Sequence, residues 1–221
     1  MIYFNNFGRT IIVDTKDLIF LDGLFYKKYT ELPFTGKTTG QFQGTYKNGI
    51  LNGPYTEFYE SGKLKLKGIY KNGKKEGFWF LYYYSVKPKK LPNDNDVETK
   101  VCEKVFYENN ELNGPFSKSY DNDFIFEEGN YLNGKLDGII KTYDEVYNKK
   151  TKYKNGLKDG TEFTYYNNGI LSSRTDWEKG EILLSALWDE DGNFVYCHIG
   201  KNFSNNSRNW ILKEKDLPPE K

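Results

Sequence analysis

The stretch Gly44-Thr45-Tyr46-Lys47-Asn48-Gly49-Ile50-Leu51-Asn52-Gly53-Pro54-Tyr55 returns 24 positions later as Gly68-Ile69-Tyr70-Lys71-Asn72-Gly73-Lys74-Lys75-Glu76-Gly77-Phe78-Trp79. Each copy centres on Asn-Gly between alternating apolar residues, the strongest short-range signal for a β-hairpin, because both central positions of its tight turn need positive φ. The Gly-x3-Gly pair recurs at Gly49/Gly53, Gly73/Gly77, Gly134/Gly138 and Gly156/Gly160. A copy between them has Asn110 for the first glycine and keeps Gly114; a last, degenerate copy has Gly180 and then Leu184. Asparagine also visits positive φ, so the turn survives that exchange.

Working outward from the turns, the residue three before each first turn glycine is Tyr46, Tyr70, Tyr107, Tyr131, Tyr153 or Trp177, an aromatic ladder through six copies. Five before it stand Gly44, Gly68, Val105, Gly129, Thr151 and Thr175, all glycine or β-branched, as suits strands packed closely side by side. The second strand carries adjacent aromatics, Phe58-Tyr59, Tyr82-Tyr83 and Tyr165-Tyr166, with Ser119-Tyr120 and Tyr143-Asp144 in the other copies. Neighbouring strand residues point to opposite faces, so rings are expected on both. With the ladder forming one stacked set, Tyr59, Tyr83, Tyr120 and Tyr166 are expected to be the set left free for a partner. A unit this short cannot bury a face alone, so stability must come from stacking. The expected fold is all-β: tandem antiparallel β-hairpin repeats forming one elongated twisted sheet.

The polar segment at about 87–100 exceeds the repeat period and reads as an inserted, solvated loop, with Lys87-Pro88-Lys89-Lys90 answered by Asp94, Asp96 and Glu98. The chain therefore divides into a lead-in and cap over 1–40, the repeats over 41–192, and a C-terminal strand and tail over 193–221. In that tail Ser207 is a candidate N-cap for a short helix ended by Pro218, with Trp210 capping the last hairpin.

Composition fits this picture. Aromatics make up 18% of the 221 residues, with 19 Tyr and 16 Phe against one Met, while the apolar share is only 37%. Amphipathic rings replace an aliphatic core. A net charge of +1 supplies no field toward nucleic acid or an anionic membrane, so neither is an expected partner. Asp14, Lys16 and Asp17 interrupt the apolar clusters of the N-terminal region before a secretory signal can form, and no run is long enough to span a bilayer. A soluble, cytoplasmic protein with reduced Cys102 and Cys197 is expected.

No constellation for catalysis or metal binding emerges, and no cofactor is expected. His198 is the sole histidine, and Cys197 beside it points to the other face of the same strand, so they cannot form a dyad. Asp189, Asp191 and Asn193 mimic the opening of a calcium loop, but Phe194 stands where that loop needs glycine, and Asp191-Gly192 reads better as a hairpin turn. The Gly-x3-Gly pairs precede no helix that could hold a phosphate and read as turn glycines.

The registered Gly-x-Tyr-x-Asn-Gly strings, with Asp22-Gly23-Leu24-Phe25-Tyr26 and Pro33-Phe34-Thr35-Gly36 ahead of them, resemble the bacterial MORN-variant repeat, the family of YwqK-type antitoxin components. The resemblance covers roughly residues 18–192. It implies a non-catalytic repeat protein that neutralises a toxin by direct binding, as an antitoxin or immunity protein. The alternative it carries is a structural or membrane-associated MORN-type scaffold.

Overall fold

Each Asn-Gly pair forms the turn its chemistry favours. Asn72 and Gly73 have φ of 49° and 79°, and Asn109-Asn110 adopts the same pair of values, 53° and 74°. In the last copy Lys179 takes φ 49° before Gly180, so the turn persists without asparagine. The computed structural model describes residues 10–87, 97–120 and 124–200. The chain divides into two compact units, Met1–Lys135 and Leu136–Lys221.

In the first unit, β1 (Ile12–Asp14) leads through a 3-10 turn (Thr15–Asp17) to a small hairpin of β2 (Leu18–Leu21) and β3 (Leu24–Lys27). There follow β4 (Gly36–Thr39), β5 (Phe42–Lys47), β6 (Ile50–Phe58), β7 (Leu64–Lys71), β8 (Lys74–Lys87), β9 (Val97–Glu108), β10 (Glu111–Tyr120) and β11 (Ile125–Leu132). These pair in chain order, antiparallel throughout, and β1 adds to β4 in parallel. A two-residue strand β12 (Lys135–Leu136) marks the boundary between the units. The second unit continues with β13 (Gly138–Tyr143), β14 (Tyr147–Lys154), β15 (Leu157–Tyr166), β16 (Leu171–Glu178), β17 (Glu181–Trp188) and β18 (Phe194–Ile199), again antiparallel in chain order. The all-β hairpin array expected from the repeats is the observed fold.

One backbone rule joins successive hairpins. The N–H of Gly73 donates to Leu51 O (2.8 Å), that of Asn110 to Lys75 O (3.0 Å), that of Gly134 to Leu112 O (2.9 Å) and that of Gly180 to Lys158 O (2.8 Å). The preceding turn N–H finds a side chain: Asn72 N donates to Asn52 Oδ1, Asn109 N to Glu76 Oε2, and Asn155 N to Asp137 Oδ2. In these three copies the polar residue before the second glycine satisfies an otherwise orphaned donor of the next turn.

The second glycine is not a turn glycine. Gly44 pairs Tyr55 but Tyr46 pairs Leu51, and the same offset recurs between Val105/Phe116 and Tyr107/Leu112, and between Thr151/Glu162 and Tyr153/Lys158. Each second strand therefore bulges at this glycine, whose φ is 132° at Gly53 and 139° at Gly114. In the sixth copy Leu184 stands here, and the bulge shrinks to one extra residue between Asp176/Leu184 and Trp177/Ile182. The ends of the inserted segment depart from expectation: β8 and β9 stay paired out to Lys87 and Val97, so the hairpin arms extend into it. Residues 88–96 and the tail with Ser207, Trp210 and Pro218 lie outside the described residues.

The core is a row of alternating small and large side chains on one face. In the first unit it runs Gly44, Tyr55, Gly68, Trp79, Val105, Phe116, Gly129 across successive strands. Trp79 is fully buried, with Val105 and Phe116 nearly so. The ladder tyrosines lie on the same face; Tyr70 meets Trp79 edge-on at 5.0 Å and Tyr131 meets Phe116 at 4.8 Å between ring centroids. Phe25 (5.1 Å) and Phe34 (5.7 Å) close over Tyr46, the first rung. In the second unit the row becomes Ile140, Thr151, Glu162, Thr175, Ser185. There the Thr151 hydroxyl (2.7 Å) and the Lys158 ammonium (2.8 Å) donate to the buried Glu162 carboxylate.

A β-branched residue is strained at positive φ. Gly134→Val, at φ 73°, is therefore expected to lose about 1–3 kcal/mol in urea denaturation. Lys135→Val, one residue on, should change far less. Equal losses at both would mean that the turn register is wrong.

Candidate partner-binding surface

Strand register decides which faces the candidate tyrosines occupy. Trp79 pairs Val105 and Tyr83 pairs Val101 without an intervening shift, so Tyr83 shares the face of the buried row. Tyr120 also pairs Val101, and Tyr166 pairs Tyr147. The second-strand tyrosines thus lie on the ladder's own face, farther from the Asn-Gly turns, and not on the opposite one.

Their environments differ. Tyr59, Tyr120 and Tyr166 open the turns that return the chain to the next hairpin: Tyr59 N donates to Lys63 O, Tyr120 N to Phe124 O, and Tyr166 N to Ile170 O. The Tyr59 hydroxyl donates to Tyr82 O (2.7 Å) and the Tyr166 hydroxyl to Trp188 O (3.0 Å), each latching one hairpin to the next. Tyr120 packs on Phe126, with ring centroids 4.6 Å apart. Tyr83 alone of the four is exposed, at 46%. The long β8 carries the chain past Tyr83 without turning, so its hydroxyl donates to Glu103 Oε2 (3.1 Å) instead. Burial of the ring, and then the Glu103 charge, push its hydroxyl pKa up to about 12.

The latch predicts a graded effect. Tyr59→Phe and Tyr166→Phe each leave a part-buried carbonyl without its donor and are expected to cost about 1 kcal/mol in thermal or urea melts. Tyr83→Phe should be nearly neutral. A Tyr83→Phe loss as large as the other two would contradict the assignment.

The opposite face gave no single sequence signal, yet it exposes the more continuous apolar surface. In the first unit Pro54 pairs Ile69, Phe78 pairs Phe106 and Pro115 pairs Asn130, forming one row. Ile69 is 53% exposed and Phe78 39%. Beside it runs a second row, Gln43, Thr56, Lys67, Phe80, Lys104, Ser117, Glu128. The Lys104 ammonium stands 4.2 Å from the centre of the Phe78 ring, and that of Lys67 5.1 Å from Phe80. In the second unit the face opposite Ile140 exposes Ile139. Pro54, Ile69 and Phe78, each one position from a core-face ring, were the available signal.

His198 is exposed and pairs Ser185, while Cys197 pairs Ala186, so the two point to opposite faces as expected. Neither cysteine is in a disulfide. The Asp189 carboxylate accepts from Asn193 N, Asn193 Nδ2 and Asp191 N, bonds that hold its pKa below the usual range and fix the turn before β18. Among the described residues no cluster of three or more His, Cys, Asp or Glu is placed to hold a metal ion, and no helix is long and apolar enough to cross a membrane. No protein-family model matches the chain, and no curated protein matches it.

Proposed function

We propose that this chain is a non-catalytic, protein-binding repeat protein, and that it acts in the cytoplasm as an antitoxin or immunity protein of the MORN-variant type by covering a toxin. The observation that carries the binding reading is the exposed apolar row of the face opposite the core, with Ile69, Phe78 and, in the second unit, Ile139 open to solvent. Rings and branched aliphatics held on a hydrogen-bonded sheet lose little freedom on contact, which suits them as interface anchors. The antitoxin role rests on the resemblance of the Asn-Gly repeats, and the cytoplasmic location is in keeping with two cysteines not joined in a disulfide.

Affinity purification of the tagged protein from its own host tests this. A single partner at equal stoichiometry, whose expression alone arrests growth and whose co-expression with this chain restores it, is the expected result. Several substoichiometric partners would instead indicate a scaffold, and a partner that does not affect growth would remove the antitoxin role.

A further inference from the structure

We propose that the outer face of β7, β8 and β9 seats an extended acidic segment of a partner protein, with carboxylates on Lys67 and Lys104 and apolar side chains on Ile69, Phe78 and Phe106. This deepens the protein-binding reading above and rests on it.

The cations of the outer face of the first unit rest on rings and not on carboxylates. On the core face, Lys65 pairs Glu57 (2.6 Å) and Lys118 pairs Glu127 (2.7 Å), while the Lys75 ammonium is taken up between the Trp79 and Tyr107 rings at 4.6 and 4.9 Å. On the outer face, among the described residues, neither Lys67 nor Lys104 forms an ion pair; each ammonium rests over a phenylalanine ring. Phe80 lies between the two lysines in register, pairing both. The acid of that row, Glu128, lies beyond Ser117. The result is an apolar stripe bordered by two unneutralised cations, fixed in place by ring contacts.

The charge pattern selects the occupant. Residues on one face of a strand recur every second position, so a segment alternating acidic and apolar residues can present carboxylates to one row and apolar groups to the other. A second copy of this face related by a two-fold axis would bring like charges together. A nucleic acid or an anionic vesicle would need a broader basic field than two lysines in a chain of net charge +1.

The test uses the full chain and a fluorescein-labelled peptide alternating glutamate with phenylalanine and leucine, compared with the same peptide carrying lysine for glutamate. Fluorescence anisotropy should show saturable binding of the acidic peptide, weakened at least tenfold by raised salt, and no binding of the basic one. The double variant Lys67→Glu/Lys104→Glu should lose the acidic peptide at least tenfold and gain the basic one, a reversal that a misfolded variant cannot produce. Equal binding of both peptides, binding of neither, an unaffected double variant, or tighter binding to phosphatidylserine vesicles than to the acidic peptide would each overturn the proposal. If a partner purified from the host binds the double variant as well as the native chain, the proposal fails while the protein-binding reading stands; if no partner is found, that reading fails on its own experiment.

Discussion

Gly68→Ala is expected to destabilise the first unit by about 1–3 kcal/mol or more, although it adds a single methyl group. A Cβ built on Gly68 would lie 2.2 Å from Trp79 Cδ2 and 2.3 Å from Cε2. The indole is fully buried, between Tyr70 at 5.0 Å and Tyr55 at 6.1 Å, so it has no free volume into which to move. Close-packed interiors meet such intrusion with off-rotamer side chains and backbone shifts. Gly44→Ala provides the contrast: the nearest atom to its Cβ is Leu51 Cδ2 at 2.8 Å, the far end of a flexible chain that can turn aside. Urea denaturation followed by tryptophan fluorescence should place Gly68→Ala well below Gly44→Ala in midpoint. If the two variants matched, a steric row of small and large residues would not be what holds these strands.

The hairpins were legible because their determinants are local. Asn-Gly needs only its own two residues to specify the turn, and the ladder keeps an aromatic at a fixed offset from it. The large half of the core row was not legible. Tyr55, Trp79, Phe116, Ile140 and Glu162 share a position after the second glycine but no chemistry. What is kept is the small partner, Gly68 beside Trp79 and Val105 beside Phe116, and that complementarity appears only when the strands are paired. Glu162 shows how far the position can drift: with Thr151 and Lys158 to receive, a carboxylate occupies a site that holds an indole elsewhere.

The candidate surface was harder to read than the fold. Gly-x3-Gly spacing looks like one extended turn, but only its first glycine turns the chain. Two extra residues at the second leave strand parity unchanged, so Tyr83, four positions beyond Trp79, and Tyr120, four beyond Phe116, face with the ladder; adjacent rings alone did not say which of each pair shares its face. Polar composition likewise disguised the insertion, whose ends carry the β-branched Val97, Thr99 and Val101 and pair as strand. Lengthening that hairpin frees Tyr83 from the latch that holds Tyr59 and Tyr166.

Trp79→Ala should be the most damaging single truncation, at about 3–5 kcal/mol, because it removes the largest fully buried side chain and opens a void between neighbouring strands. The indole is the shared contact of Tyr55, Tyr70 and Tyr107, whose rings lie 6.1, 5.0 and 6.2 Å from it, and the Lys75 ammonium covers it at 4.6 Å. A repeat array is held by nearest-neighbour contacts, so the loss should concentrate in the strands that border the void. Hydrogen exchange is therefore expected to accelerate most in β7, β8 and β9. Trp79→Phe should cost roughly half as much or less, for two reasons: a ring still fills most of the space, and the buried indole Nε1–H has no acceptor among the described residues to lose. The small–large row also predicts coupling with Gly68. In the double variant Gly68→Ala/Trp79→Phe the smaller ring makes room for the new methyl, so its total cost should fall below the sum of the two single costs. Strict additivity, or a Trp79→Ala variant within about 1 kcal/mol of the native chain, would show that this indole is not the centre of the row.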